Sequence, residues 1–386
     1  MNLLVVSHVA HYRCGGSIHA YEPYAREIEA WADLFSPVVI AAPCTDGQPA
    51  KGCASIRRSN VRLVPQPQAG GDALCDKVRL AWSLPRMVYG LSCAMWRAEA
   101  IHVRCPCNFG LLGAILAPLF SRRLIAKYAG DWRGFPKEPW TFRLQRCLLS
   151  SSWWHGPVTV YGDWPNQPAH VVPFFSASIT DNDIARARTL RDRELSSPLH
   201  VVYAGRLTLS KNVGTILDAI ALLKDRGIPV RCTIAGDGPM RDALAAKAAR
   251  HAISDAVSFS GALPFEHFMD LLASADVLAL TSNTEGWPKV LPEAMAFGVI
   301  CISTCPGGAA RLLSEGRGIS VPKGDVNGLA AAIEDIATHP ERYNELRHRA
   351  ALWSEQYTVE TLRERLRQLT GQYWTNDLRA APGIAE

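Results

Sequence analysis

The 386-residue chain exceeds the roughly 250–300 residues at which a single hydrophobic core stops growing, so two domains are expected. An apolar fraction of 48% and a charged fraction of 20% are ordinary for a soluble globular protein. The net charge of +5 is unevenly spread: residues 1–180 carry 18 Lys/Arg against 11 Asp/Glu, or +7, and the remainder carries 23 against 25, or −2. That asymmetry suggests an anionic partner for the first half: a membrane surface, a phosphate-linked acceptor or nucleic acid. With no Arg-rich run and no aromatic RNA-binding signature, nucleic acid is disfavoured. The 11 cysteines form no paired framework and no C-x-x-C, which reads as a reduced cytosolic chain without a metal site. The first residues turn polar too soon for a signal peptide, and the longest apolar run, Gly110 to Phe120, has 11 residues and is too short to span a bilayer.

In chain order, Asn2–Ser7 reads as a first strand, followed by a loop holding Gly15 and Gly16, a helix from about Ile18 to Leu34 and a second strand, Val38–Ala42, ended by Pro43. Strand, Gly loop, helix, strand opens a doubly wound α/β domain. The glycines either let backbone approach a ligand or simply make the turn, and no G-x-G-x-x-G dinucleotide fingerprint is present. Residues 43–76 read as a long excursion with an edge strand near Val61–Val64. Lys77–Arg97 looks helical, with Val78, Trp82, Met87, Leu91 and Trp96 at apolar positions and Lys77, Arg79, Arg86 and Arg97 around them. A core helix is the default reading, and a basic aromatic face on membrane headgroups is the other. Ala100–Arg104 and Leu124–Tyr128 are further strands, which places Arg104 and Asp131 at strand carboxyl ends, where ligands of open α/β sheets bind. An Arg104–Asp131 ion pair is the structural alternative. Trp140–Leu149 forms a basic amphipathic helix, and the polar stretch 176–197 is the expected linker.

A second α/β unit starts at Leu199–Ala204 and alternates helices and strands to a helix near Asn327–Thr338, with a helical tail from about Pro340 to Trp374. Gly205-Arg206…Lys211 follows its first strand, so two cations five residues apart can converge on one anion. The chain lacks the Gly-x4-Gly-Lys-Ser/Thr pattern of a P-loop, which disfavours ATP hydrolysis. The apolar strand Asp276–Leu280 runs into a Gly- and Pro-containing turn and then a short helix stopped by Gly298. Glu285 and Glu293 flank that turn. Amides at the helix start favour an anion, and the two carboxylates can accept hydrogen bonds from uncharged hydroxyls such as those of a sugar or ribose. Two solvated acids at a helix start are the plainer alternative.

Taken together, Gly205-Arg206…Lys211, Ala235-Gly-Asp-Gly-Pro239, Gly261-Ala-Leu-Pro264, Ala275-Asp276, Glu285-Gly286 with Glu293-Ala-Met-Ala-x-Gly298, and Gly307-Gly308 stand in the order seen in retaining glycosyltransferases of the GT-B fold, family 4. The chain resembles that family strongly over residues 199–340 and weakly over the first half. The resemblance implies two Rossmann-like doubly wound α/β domains with an interdomain cleft. The first, 1–176, binds the acceptor, the second, 198–354, binds the nucleotide sugar, and a C-terminal helix (about 355–376) returns toward the first. It implies a UDP- or GDP-linked donor, no cofactor and no metal. Arg206 and Lys211 would neutralise the departing diphosphate, Glu285 would bind the donor sugar's hydroxyls and Glu293 the ribose. Amides near Trp287, Lys289 and Val290, with Gly15 and Gly16, would contact phosphate and sugar, and Arg104 and Asp131 join the donor-binding candidates.

Four positions depart from the family pattern. His102-Val-Arg104 stands where a His-x-His is common, and an Arg stays protonated, so it can hold an anion but cannot act as a base. Pro288 removes an amide donor from the turn, Arg311 replaces a common acid, and Pro173-Phe174-Phe175 replaces Pro-Asn-Gly. The leading expectation is a cytoplasmic retaining glycosyltransferase, peripheral at the inner face of an anionic membrane, acting on a glycan or lipid-linked acceptor in surface-polysaccharide or lipopolysaccharide assembly. A sugar-nucleotide epimerase and a silent sugar-nucleotide-binding subunit are the alternatives.

Overall fold

A computed structural model describes residues 1–68, 74–135, 138–304 and 308–375. Pro306 and Gly307 of the expected Gly-Gly turn, and position 376 of the expected tail helix, lie outside the described residues, as do the side chains of Lys77 and Arg79. The chain divides into two compact units, one of residues 1–177 together with the chain from Val359 onward, the other Ser178–Thr358.

In the first unit the strands are β1 (Leu3–Val6), β2 (His11–Cys14), β3 (Ser17–Tyr21), β4 (Val38–Asp46), β5 (Cys53–Ser55), β6 (Val61–Gln66), β7 (Ala100–Cys105), β8 (Arg123–Tyr128), β9 (Val158–Tyr161) and β10 (Val171–Phe174). Their helices are α1 (Glu22–Ala32), α2 (Leu74–Trp96), α3 (Asn108–Leu116) and α4 (Trp140–Ser150). Seven parallel strands lie in the order β10-β9-β8-β7-β1-β4-β6, a doubly wound sheet. The four residues of β1, Leu-Leu-Val-Val, are all buried, as a central parallel strand requires.

Two expectations change here. Gly15 and Gly16 do not lead into a helix. They form the tip of an antiparallel hairpin between β2 and β3, with φ of +58° and +77°. Two successive positive φ values are what a tight hairpin turn of the right twist needs, and Gly supplies them without strain. Pro43 does not end the second strand either. It falls after Ala41, the last residue of β4 paired to β1, and before Cys44, the first paired to β2, so its missing N–H interrupts neither of those ladders; its register partner is Gln66, the last residue of β6.

The second unit holds α5 (Asp181–Leu190), β11 (Leu199–Ala204), α6 (Gly214–Asp225), β12 (Val230–Ala235), α7 (Arg241–Arg250), β13 (Val257–Gly261), α8 (Phe265–Ser274), β14 (Val277–Leu280), α9 (Val290–Ala296), β15 (Ile300–Ser303), α10 (Gly308–Leu313), β16 (Ile319–Ser320), α11 (Val326–Thr338) and α12 (Asn344–Ser354). Its six strands are all parallel, in the order β13-β12-β11-β14-β15-β16. The stretch read as a linker contains α5, whose start is a capping box: the Thr180 hydroxyl accepts from Asp183 N–H, and the Asp183 carboxylate accepts from Thr180 N–H. Ile184 and Ala187 on its inner face join the second unit's core. Those two are its only buried positions among mostly polar residues, which is why the sequence reads as a connection.

The chain then returns, as the resemblance implies, through α13 (Val359–Thr375). Leu362, Leu366 and Leu369, at helical spacing, are buried, Arg363 pairs with Asp33 at 2.9 Å, and the Trp374 indole donates to Leu124 O at 3.2 Å.

On α1, Tyr24, Glu27, Ile28 and Trp31 form the buried stripe, and Trp31 lies 4.8 Å from the His102 ring. Burial, and then the charge of Arg104, push the His102 imidazole down from 6.5 to about 3. Between those values the unfolded chain binds a proton that the folded chain does not, so this residue removes stability as pH falls from 6.5 toward 3. We expect His102→Phe to flatten the fall of Tm between about pH 7 and about pH 4, where each unit of a one-proton window is worth up to about 1.4 kcal/mol. An unchanged slope in thermal melts would show that His102 does not carry it.

Candidate functional site

In the second sheet the strand order reverses at β11 and β14, which lie side by side. Chain leaving the carboxyl ends of two such strands turns in opposite directions and leaves a crevice. The two segments that leave here are Gly205–Lys211 and Thr281–Lys289, the two stretches that the sequence singles out.

Hydrogen bonds tie these segments to each other. Asn283 N–H donates to Ser210 O at 2.7 Å, and the Thr281 hydroxyl donates to Lys211 O at 3.2 Å and to Asn212 O at 3.0 Å. Asn212 takes the left-handed conformation, φ +47°, as the chain turns into α6. Lys211 therefore projects from a loop pinned to the end of β14, and its ammonium hydrogen-bonds the Glu285 carboxylate. Ser282 donates a further hydrogen bond to the same Glu285 oxygen at 2.7 Å. The pair is partly buried, with side chains 26% and 12% exposed, so it keeps much of its Coulomb attraction while a ligand can still reach it.

Arg206 sits five residues before Lys211 with an exposed side chain, and among the described residues no acid pairs with it. Its carbonyl is fixed by the Tyr203 hydroxyl at 3.1 Å. Two glycines are required by close backbone approach. A methyl at Gly236 would lie 1.8 Å from Gly205 O, and one at Gly308 would lie 2.0 Å from Gly286 O. The glycine motifs of the sequence thus mark where neighbouring loops touch this crevice.

Glu293 is on α9, buried, and its carboxylate accepts a hydrogen bond from the Ser178 hydroxyl. Nothing in the sequence announces Ser178, which lies 115 residues away. Thr281 and Ser282 were findable, since two buried polar residues end an apolar strand there. The Trp287 ring, half-buried, packs on Tyr357 at 5.2 Å. Lys289 precedes Val290, the first residue of α9.

The remaining candidates belong to the first unit. Gly15 and Gly16 are explained by the hairpin tip. Arg104 is at the carboxyl end of β7, but the expected alternative, a pair with Asp131, does not form. Arg104 instead binds Glu27 at 2.6 and 3.4 Å, and Lys127, its neighbour in register on β8, binds the same carboxylate at 2.8 Å. Asp131 turns to the backbone of Arg133, 3.0 Å away. The reason is geometric: α1 lays Glu27 across β7 and β8, whereas Asp131 lies three residues beyond the end of β8. Burial raises the Glu27 carboxyl, but Arg104 and Lys127 outweigh it and hold it well below the usual range. Burial pulls Lys127 down to about 8 although Glu27 opposes it. Among the described residues no three or more His, Cys, Asp or Glu side chains converge as a metal site, and no helix is long and apolar enough to cross a membrane.

Comparison with known proteins bears on both the crevice and the fold. Residues 189–353 match the family model described as Glycosyl transferases group 1, so this part of the chain is a domain of that family. A putative colanic acid biosynthesis glycosyltransferase from Salmonella typhimurium is 32% identical over 244 residues, covering 60% of this chain and 57% of that protein. The chain spans about half the length of the curated relatives it matches. Among solved structures, sucrose-phosphate synthase from Thermosynechococcus elongatus superposes with a TM-score of 0.73 at 20% identity, covering 97% of this chain and all, 100%, of that one. Anabaena HepE in complex with UDP and glucose gives 0.69 at 17% identity, covering 96% and 100%. The two parallel α/β units are therefore those of the GT-B glycosyltransferase fold.

The Glu27 cluster makes a stability prediction. Replacing Glu27 by Gln leaves two buried cations without their anion, and removing one partner of such a pair costs about 3–5 kcal/mol. Urea unfolding of Glu27→Gln checks this; a loss below about 1 kcal/mol, the value of an exposed pair, would show that the cluster is solvated.

Proposed function

We propose that this protein is a retaining, metal-independent glycosyltransferase of family 4 that transfers a sugar from a UDP- or GDP-linked donor to a glycan or lipid-linked acceptor in surface-polysaccharide or glycolipid assembly. The observation that carries the proposal is the Lys211–Glu285 contact across the β11/β14 crevice, inside the segment matched by the glycosyltransferase model. The likeness to the colanic acid biosynthesis glycosyltransferase and the UDP held by HepE support the acceptor class and the donor class respectively.

In this reading the donor diphosphate lies against Arg206 and Lys211. As the bond from the anomeric carbon to the diphosphate oxygen breaks, the electron pair leaves with that oxygen, and the two cations stabilise the charge that builds there. The acceptor hydroxyl attacks from the same face, its proton passes to a phosphate oxygen, and the configuration is retained. Glu285 accepts hydrogen bonds from donor hydroxyls and Glu293 from the ribose. Since Lys211 and Glu285 hold each other before the donor arrives, the donor exchanges one partner for another on both sides. Removing either group therefore frees the other, and the two losses are not additive. Arg104 is already held by its own carboxylate, Glu27.

Two measurements test the proposal. In a thermal-shift panel of UDP, GDP, ADP and TDP and their sugars, one nucleotide should raise Tm, because a ligand bound by the folded state alone stabilises it; no shift with any of them speaks against a nucleotide-sugar site. Lys211→Ala should weaken donor binding and turnover together, Glu285→Ala should mainly lower turnover, and Glu293→Ala should weaken donor binding by about 1.5–3 kcal/mol, one charge-assisted hydrogen bond. Wild-type kinetics in Lys211→Ala and Glu285→Ala would refute the site. Product analysis with donor alone separates transfer from epimerisation.

A further inference from the structure

Among the described residues the exposed tryptophans are Trp82, Trp96, Trp140 and Trp153, all in the first unit between α2 and the chain just after α4. The expectation that Trp82 and Trp96 face a core is overturned. Met87, Leu91 and Met95 form the buried side of α2, whereas Trp82, Tyr89 and Trp96 are 84%, 73% and 82% exposed. These three recur every seven residues, so they lie in one line along the outer face of the helix, over about 21 Å at 1.5 Å per residue. Val78 begins the line, and Arg86 and Arg97 lie beside it, both exposed and, among the described residues, paired with no acid. Sequence reinforces the pattern: from Lys77 to Ala98 there are four cations and no Asp or Glu.

The neighbouring helices extend this surface. α3 packs beside α2 and α4 beside α3 on the same face of the sheet. On α4 the outer positions Trp140, Arg143 and Leu144 are exposed at helical spacing, and neither α3 nor α4 contains an acid. Arg143 and Arg146 share a single carboxylate, Glu138, which leaves a net positive charge. The Trp153 indole donates to Ala114 O of α3 at 3.3 Å, which places that ring against α3 while it remains exposed.

We propose that the outer face of α2, continued by α4 and Trp153, is the surface by which this protein docks on an anionic phospholipid bilayer. Tryptophan and tyrosine rings settle at the headgroup level, where an apolar body and a polar edge are both satisfied. Interleaved arginines meet lipid phosphates, and α2 carries no acid after Asp76 in its first turn, so little repulsion from an anionic surface opposes them. A second copy of the chain fits less well, because a two-fold contact would set the arginine-bearing stripe against itself, with Asp76 in the first turn as the one acid of α2. The inference deepens the reading of a lipid-linked acceptor and rests on it for its purpose, since docking would bring the acceptor's membrane to the first unit.

Co-sedimentation of the full chain with vesicles of neutral phosphatidylcholine, and of the same lipid mixed with anionic phosphatidylglycerol, tests it. The protein should bind the mixed vesicles, lose binding in high salt and show a blue-shifted tryptophan emission when bound. Arg86→Gln with Arg97→Gln should weaken binding about 25-fold, the loss of two lipid-facing cations. Trp82→Ser with Tyr89→Ser and Trp96→Ser should weaken it at least about tenfold and abolish most of the blue shift. A nucleotide thermal shift retained in both variants shows that they fold and that the donor reading stands apart from this one. Equal vesicle binding by wild type and both variants would overturn the proposal. So would absence of binding, including the case in which wild type sediments as a dimer and the triple variant as a monomer.

Discussion

The second unit depends on one topological constraint: β11 and β14 are neighbours, although three helices and two strands separate them in sequence. Every feature of the crevice follows from it. Because the two strands run parallel and buried, their carboxyl ends must both emerge at one edge, and the segments that leave them must share the space above the sheet. Thr281 uses that proximity to hold the Lys211 backbone, and Asn283 holds Ser210. Only then can an ammonium at the end of one loop meet a carboxylate on the other. The glycines serve the same constraint by keeping Gly205, Gly236, Gly286 and Gly308 within backbone contact.

The first unit has the same strand order around β1 and β7 and resolves its charges differently. Arg104 and Lys127, adjacent in register, are met by one carboxylate from α1. Two cations and one anion buried together carry a desolvation cost, and burial accordingly lowers the Lys127 ammonium to about 8 although Glu27 opposes it. Lys211 and Glu285 are only partly buried, one cation to one anion, and so remain exchangeable. A charge already answered in the interior is a poor handle for a ligand. A charge answered by a neighbour that itself has hydroxyls to bind is a good one.

What the sequence disclosed follows this difference between local and distant determinants. The strands and helices of the second unit were legible because parallel strands there are short apolar runs between amphipathic helices, and the residue motifs sit at their ends. Gly15–Gly16 misled because a hairpin and a helix-entry loop both call for glycine, and the deciding feature, the pairing of His11–Cys14 with Ser17–Tyr21, is a non-local contact. α5 was hidden by composition, though its Thr180…Asp183 cap was written in plain view. Ser178 against Glu293, and Glu27 against Arg104, could not be read at all, since each joins residues that only the folded topology brings together.

The uneven charge of the two halves takes on a different meaning once burial is known. Of the excess cations in residues 1–180, Arg104 and Lys127 are enclosed around Glu27 and Arg146 is occupied by Glu138, so these contribute little to the field outside. The cations left to act on surroundings include Arg86 and Arg97, which lie where the surface is also most aromatic. A basic surface alone would attract anions of any kind, and an aromatic surface alone would attract any apolar partner. Their coincidence on one helix, whose other side is committed to the core through Met87, Leu91 and Met95, restricts the partner to something both anionic and partly apolar at its boundary. A helix with one face buried cannot turn the other away from water by rearranging, so the exposed rings are a fixed property of this fold.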